Sequence, residues 1–528
     1  MSPSPSPAGA VVSRVEDFTP YADSVMWRVH HAYFAQRGTA VWTERDIPSQ
    51  GTSNAAQARE HVRLLRALAS DLGPEAPLGV LEVGSGSGDF AANFMDVLQA
   101  DAPELLPRVR LHLTDYLART VAETATRPRV APWIASGHIV TSVFDVTNPT
   151  ALAGPFVLVI ANYVCCAIPM RPLQKWGDEW REPFVETSVD LDGHTLEGLL
   201  ADATRPDLMT SLETRYDWRV TALDEYLGEP FHVAVVRDVT DALFAASLFY
   251  PRIYLDFVRR VPLAPGGVMV TNDYGYLTVE RLRGLQERRP ESFANCLGQE
   301  VQFVIFDAFA RVAGWSVHRN SDPLDEINRA VVGPGPFGPA LSAALDYRPL
   351  WGRPDWAHLL DFQQAAKELD RVGDRERALR FWLRCAELDP SYADFRYAIG
   401  DNAIEVGLPE LASEHLLVGL ALAPDAHDWE FMLGRAAVGS DDISGARDWY
   451  KRALAREPDA TTYVNLAALA LADEDFGGAY RACERALALD PEHPRAASLL
   501  DEVRERVWDE AVVHFRGELP VVAHDEEE

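Results

Sequence analysis

This 528-residue sequence predicts an α/β unit on a mainly parallel, doubly wound sheet, followed by an all-α solenoid of paired helices. Three observations predict it. An apolar strand ends in alternating glycines, further apolar strands end in acids or polar aromatics, and the last third repeats every 33 or 34 residues.

The glycine element is Val80-Leu81-Glu82-Val83-Gly84-Ser85-Gly86-Ser87-Gly88-Asp89-Phe90, continuing into the amphipathic FAANFMDVL. It reads as a strand–turn–helix crossover whose turn has no side chains to keep a ligand off the backbone. The spacing is GxGxG, not the GxGxxG of dinucleotide sites, because Asp89 stands where the third glycine would be needed. With Glu82 inside the strand as well, S-adenosylmethionine (SAM) is a better fit than NAD. Glu82, Gly84, Ser85, Gly86 and Gly88 are the expected cradle.

RVRLHLTDYLARTVAE supplies the second strand, ending at Asp115 and Tyr116. An acid there can take two hydrogen bonds from ribose hydroxyls. Its distance from Gly88 exceeds the usual spacing of about 20 residues, and the PELLP turn accounts for the excess. HIVTSVFDVTNP gives a third strand with Asp145 and Val146 at its tip, suited to the adenine end. PFVLVIANYVCCAIP is wholly apolar up to Asn162 and Tyr163. APGGVMVTNDYGY ends in Asp273, Tyr274 and Tyr276. Strands this apolar, separated by helical stretches, belong to a parallel sheet covered on both faces. Asn162 is an expected cofactor contact. Tyr163, Asp273 and Tyr274 are the candidates for orienting an acceptor. His30 and His31 are conceivable bases, although histidines in such a helical run are more often packed or solvated.

In the last third, segments end alike at Pro390, Pro424, Pro458 and Pro491, the tetratricopeptide (TPR) period. Ala378, Ala412, Ala446 and Ala479 stand twelve before each proline. Trp382, Leu416, Tyr450 and Cys483 stand eight before it, and Gly400, Gly434 and Ala467 are the small residues of each first helix. Small residues at fixed register let paired helices approach closely, and each proline ends its helix. The sequence from Pro491 onward reads as a solvating cap helix.

The net charge is −31, which excludes nucleic acid as a favoured partner, since phosphate binding needs a basic footprint. From Asp361 onward 36 acids face 18 basic residues, so a basic peptide or protein suits the repeat groove. Homodimerisation through the array is the alternative use. Lysine occurs only at 175, 367 and 451, with arginine in its place, as in a high-GC bacterial genome. Five cysteines without metal-ligand spacing indicate no metal and fit a reducing cytoplasm. No signal peptide is expected at the start, and no apolar run approaches the roughly 18 residues a membrane span needs.

Two strand tips also carry a resemblance. ANYVCCAIPM and GGVMVTNDYGY, followed by SFANCLGQEVQFVIFDAFARVAGWSV, resemble segments of the MidA-like SAM-dependent methyltransferases over roughly residues 20 to 330. The resemblance implies a Rossmann-like class I methyltransferase fold, SAM, and a protein arginine substrate. It also implies that the stretch with Trp42, Ser53 and Asn54 closes over the cofactor. The family's acid after Asn162 is Tyr163 here, and its aspartate before Ala-Leu-Pro is Cys166. Carboxylates normally engage a guanidinium, so their loss points away from arginine.

The expected layout is a disordered tail at 1–20 and a methyltransferase unit at 21–335 with a cap lobe near 171–250. A linker at 336–356, repeats with their cap at 357–515 and an acidic tail at 516–528 follow. Aromatics in 171–250 would build either a substrate cap or a small core of their own. The functional expectation is methylation of a peptide or protein recruited by the repeats. A small-molecule O- or N-methyltransferase and a non-catalytic scaffold are the alternatives.

Overall fold

The computed structural model describes residues 12–44, 46–47, 50–147, 152–190, 195–319, 327–347 and 355–518. Two compact units result, residues 1–358 and 359–528.

The first unit is organised by a sheet whose parallel strands are β1 (Leu78–Val83), β2 (Val109–Asp115), β3 (Ile139–Val143), β4 (Phe156–Asn162) and β5 (Leu263–Tyr276). Beside β5 lie β6 (Trp315–Arg319) and β7 (Ile327–Pro334), in the order β6-β7-β5-β4-β1-β2-β3, with β7 antiparallel to both its neighbours. Along β4, Leu158 and Ile160 face one core while Val159 and Ala161 face the other, which is why the strand is apolar throughout. After α1 (Val25–Arg37), helices α2 (Ala55–Leu72) and α3 (Asp89–Asp101) cover the first of these faces. The chain order reverses between β1 and β4, the place where ligands of doubly wound sheets bind at the carboxyl ends.

Three segments differ from expectation. Val12–Pro20 is not a tail but a strand, paired antiparallel with Glu179–Asp190 from Val12–Asp190 to Pro20–Phe184. Main-chain hydrogen bonding at a sheet edge holds it, a feature that composition does not encode; residues 1–11 lie outside the described residues. The 171–250 insert forms most of a second, five-stranded antiparallel sheet, with Arg171–Trp176, Glu179–Asp190, Glu213–Thr221 and Ala245–Tyr250. Its Leu173, Trp180, Val185 and Phe249 are core residues. Part of the expected linker is helical, and Leu341 and Leu345 of Pro339–Leu345 are buried against the α2 side of the core.

In the second unit, helix pairs follow the repeat: Arg375–Leu388, Pro409–Leu422, Ile443–Arg456 and Phe476–Leu489 each stop just before their proline. Ala378, Ala412, Ala446 and Ala479 are fully buried. A Cβ on Gly400 would meet Leu416 at 2.5 Å, and one on Gly434 would overlap the Tyr450 ring. The small site of each first helix therefore receives the filler of the second. Ala467 instead shares a cluster with Cys483, the smallest filler. Asp374, Asp442 and Asp475 cap the second helices by accepting from the N–H groups of Arg377, Gly445 and Gly478. The last helix runs over Pro494–Glu518, and most of the expected acidic tail lies outside the described residues.

Candidate active site

The glycine turn adopts left-handed conformations at Gly84, Gly86 and Gly88, with φ of 72°, 50° and 79°. Side chains disfavour that region, and glycine enters it freely. A Cβ at Gly86 would lie 3.0 Å from the Trp42 ring, so the indole lies over this turn. Gly88 has another role. It caps α3, and its Cβ would run into Thr124 and Val130.

A cavity of about 460 Å³ opens above this turn. Glu82, Gly84, Ser85, Gly86, Asp115, Tyr116, Asp145, Val146, Asn162, Tyr163 and Tyr274 all line it. Gly88 and Asp273 do not. Asp273 is fully buried behind the wall, where it accepts hydrogen bonds from the backbone N–H groups of Cys166 and Tyr274, each at 3.0 Å. Its carboxylate fixes the loop after β4 rather than facing the cavity.

The carboxylates gather at the β1, β2 and β3 tips. Glu82 is 2 % exposed, and its Oε2 has no hydrogen-bond partner. Burial, then the charges of Asp115 and Asp89, raise its pKa well above the ordinary carboxylate value. Asp115 is raised to about 6 by burial, against backbone N–H donors that include Leu117 at 3.1 Å. The Ser85 hydroxyl is also buried without a partner. A buried acid with an open oxygen, beside a glycine turn and a second acid, suits a ligand that brings a cation and a pair of hydroxyls. SAM fits that donor set.

The other end differs. Past β4 and along β5 the wall is Tyr163, Cys166, Tyr274, Phe293, Cys296 and Leu297, and none of these is a carboxylate. The Tyr274 hydroxyl is buried and unpartnered. Gly298 leaves room for it, since a Cβ there would stand 2.6 Å from that oxygen. Tyr163 holds φ 54°, and its N–H donates to the Asn272 carbonyl at 2.9 Å. Burial raises the Cys166 thiol pKa well above its ordinary value, which leaves it an inert lining group.

His30 and His31 both line the cavity. His30 Nδ1 accepts from the Leu297 N–H at 2.9 Å, and burial lowers its pKa to about 3. It is a packed residue. His31 is also lowered by burial, with Asp145 pulling the other way.

Trp42 and Ser53 reach the cavity, whereas Asn54 caps α2 by accepting from the Gln57 N–H at 2.8 Å. No described residue of the 171–250 insert lines it. The cover comes instead from the hairpin of Glu291–Phe293 and Cys296–Gly298. Sequence reasoning missed that hairpin, because its one local cue was the resemblance of the segment around it. Away from the cavity, Glu229, His232 and Asp256 cluster, but Arg259 reaches Glu229 at 3.1 Å and Asp256 at 3.7 Å. Those arginine contacts already satisfy the carboxylates.

The fold and this cavity define a class I methyltransferase unit. Residues 58–306 match the model of a family described as "Putative S-adenosyl-L-methionine-dependent methyltransferase". The chain is a SAM-dependent methyltransferase with a C-terminal TPR-like region. Among solved structures it is similar to a Burkholderia thailandensis protein described as a "likely methyl transferase" and bound to S-adenosyl-homocysteine. That likeness has 16% identity, covers 62% of this chain and 90% of that one, and has a TM-score of 0.42. The repeat region is similar to MamA of Desulfovibrio magneticus RS-1, at 22% identity over 30% of this chain and 92% of that one, TM-score 0.27. It is also similar to PilF of Pseudomonas aeruginosa, at 19% over 30% and 72%, TM-score 0.26. No curated protein matches the chain.

Proposed function

We propose that this methyltransferase modifies a peptide or protein that the helical repeats recruit, and that the accepting atom is not a guanidinium. The observation that carries the second part is the division of the cavity: every described carboxylate lining it lies at the β1–β3 tips, and none lies at the β4–β5 end. An arginine side chain brought to Tyr163, Cys166 and Tyr274 would be desolvated without a counter-charge, which is strongly unfavourable.

Glu82 would hold the ammonium end of SAM, Asp115 the ribose hydroxyls, and Asp145 with Val146 the adenine end. Gly84, Ser85, Gly86, Tyr116 and Asn162 would complete that enclosure. When bound, SAM supplies a methyl group on a sulfonium, which transfers by in-line displacement. The chain's part is to hold the acceptor collinear and dry. Tyr274 would give or take one hydrogen bond at the acceptor, Tyr163 would wall its approach, and Phe293 and Leu297 would exclude water.

The MidA-like reading rests on Asp-Tyr-Gly-Tyr, where each residue has a separate task. Asp273 fixes the β4 loop and Tyr274 lines the cavity. Gly275 passes too close to the Val301 carbonyl for any Cβ, and Tyr276 Oη donates to Glu300 at 2.5 Å. Tyr163 and Cys166 are the departures that separate this chain from arginine chemistry.

Isotope-labelled SAM in an extract of the source cells tests the proposal. The full chain should label macromolecules, and residues 1–358 should not. Label passing to small molecules with both proteins would establish the small-molecule reading, with the repeats used for assembly.

A further inference from the structure

We propose that Asn272, held by Arg329 and His61, is a positioning residue that fixes which end of the Asn162 amide faces the cofactor cavity. The proposal rests on reading Asn162 as a cofactor contact and goes beyond it. Asn272 of β5 is the ladder partner of Asn162 on one side and of Arg329 in β7 on the other. It is 1 % exposed.

Chemistry dictates the orientation of each group. Arg329 Nε donates to Asn272 Oδ1 at 2.9 Å, and because a guanidinium has no acceptor, that atom must be the oxygen. The Asn272 amide nitrogen then donates to His61 Nε2 at 3.1 Å and to Asn162 Oδ1 at 2.8 Å. His61 accepts there because its Nδ1 faces the Gln57 carbonyl at 2.7 Å and so carries the proton. Burial and Arg329 keep this imidazole neutral. Both hydrogens and the oxygen of Asn272 are committed, and turning the amide over would break all three bonds at once.

The consequence falls on Asn162. Its oxygen is engaged, so its amide nitrogen is turned to the Thr52 carbonyl at 3.4 Å and to the cavity it lines. One N–H is left for an acceptor atom on bound SAM, complementing the acceptor carboxylates of Glu82 and Asp115. The anchor lies in the first turns of α2. There Gln57 Oε1 accepts from Arg329 at 2.7 Å, and Glu60 stands 3.5 Å from the same guanidinium. A helix of the sheet's covering layer thus sets the hydrogen-bonding sense of a residue in the cofactor site.

The test is a double-mutant cycle in the full chain, read by titration with S-adenosylhomocysteine. Asn272→Asp keeps the shape and still accepts from Arg329 but has no hydrogen to give Asn162, whose amide should turn over. Asn272→Asp and Asn162→Ala should each weaken binding by about tenfold, and the double variant should bind no more weakly than Asn162→Ala alone. Arg329→Lys keeps the charge beside Glu60 but loses the Nε donor. It should show a smaller loss with the same non-additivity, and it serves if Asn272→Asp does not fold. Losses that add to about a hundredfold, or Asn272→Asp binding as the native chain does, overturn the proposal. So does Asn162→Ala binding normally. A native chain that fails to bind at all would instead remove the cofactor reading.

Discussion

The carboxylate of Asp273 accepts the backbone N–H of Cys166 across 3.0 Å, tying the loop after β4 to β5. Burial raises this acid from 3.8 to about 7, and its N–H donors pull the other way. The folded value lies above the unfolded one, so the native state binds the proton more tightly. The group's contribution to stability is therefore greatest below about pH 4 and is lost as pH rises to about 7. An asparagine in its place would accept only one of the two N–H groups and turn its own donor toward the other. We expect Asp273→Asn to be less stable by ~1–3 kcal/mol at pH 5, with the deficit shrinking toward pH 8. Melting curves across that range check it, and a deficit that grows with pH would contradict this account.

Asp115 gives cofactor binding its own pH dependence. Its pKa is raised to about 6, and only the ionised carboxylate offers every lone pair to ribose hydroxyls. Affinity for S-adenosylhomocysteine should rise between pH 5 and 7 and then level off. Asp115→Asn should bind more weakly and show less of that rise. Calorimetric titrations at four pH values decide the matter, and a profile identical in both proteins would remove Asp115 from the site.

At Glu82, stability and function oppose each other. Its buried carboxyl has an unpartnered oxygen and two nearby acids, Asp115 and Asp89. Glu82→Gln removes a group that is costly to ionise, so the ligand-free protein should melt higher at pH 8. The same change should weaken SAM by about tenfold, because the counter-charge to its ammonium is lost. Paired melting and titration experiments check both signs, and a variant that loses stability while keeping affinity would refute the assignment.

How much of this was legible in the sequence depends on distance along the chain. Gly84, Gly86 and Asp115 sit in or next to short patterns whose backbone demands are local, and they arrive at the cavity as expected. Asp273 was legible as a residue at a strand tip but not in its direction, since a strand alternates faces and its neighbour Tyr274 lines the cavity instead. Phe293 and Leu297 line the same cavity as the glycine turn only through tertiary packing, so no local pattern in the sequence placed them there. For the 171–250 insert the sequence left a substrate cap and a small core equally open, and Trp180 and Phe249 are core residues of an antiparallel sheet. The repeats read most faithfully, because each register position recurs and so corrects its neighbours.

Gly86 tests the turn itself. Its φ of 50° and the Trp42 ring 3.0 Å from a would-be Cβ leave no place for a branched side chain. Gly86→Val should displace the indole and abolish measurable binding of S-adenosylhomocysteine. Quenching of tryptophan fluorescence on titration is a direct readout, and unchanged affinity would show that the cofactor lies elsewhere.

Gly434 makes the corresponding test in the repeats. It is buried in Trp429–Gly439, and a Cβ there would overlap the Tyr450 ring of the partner helix. Overfilling such a contact typically costs about 1–3 kcal/mol, because the two helices must separate or the ring must leave its rotamer. In a solenoid that cost is felt mainly by adjacent repeats. Gly434→Val should therefore lower the helical melting transition followed by circular dichroism. Combining it with Tyr450→Ala should recover part of the loss by making room. The affinity for S-adenosylhomocysteine should stay as in the native chain, since every described residue of the cavity lies within residues 30–298. If Gly434→Val melted as the native chain does, the close approach of Gly434 and Tyr450 would not be what sets the spacing of this helix pair.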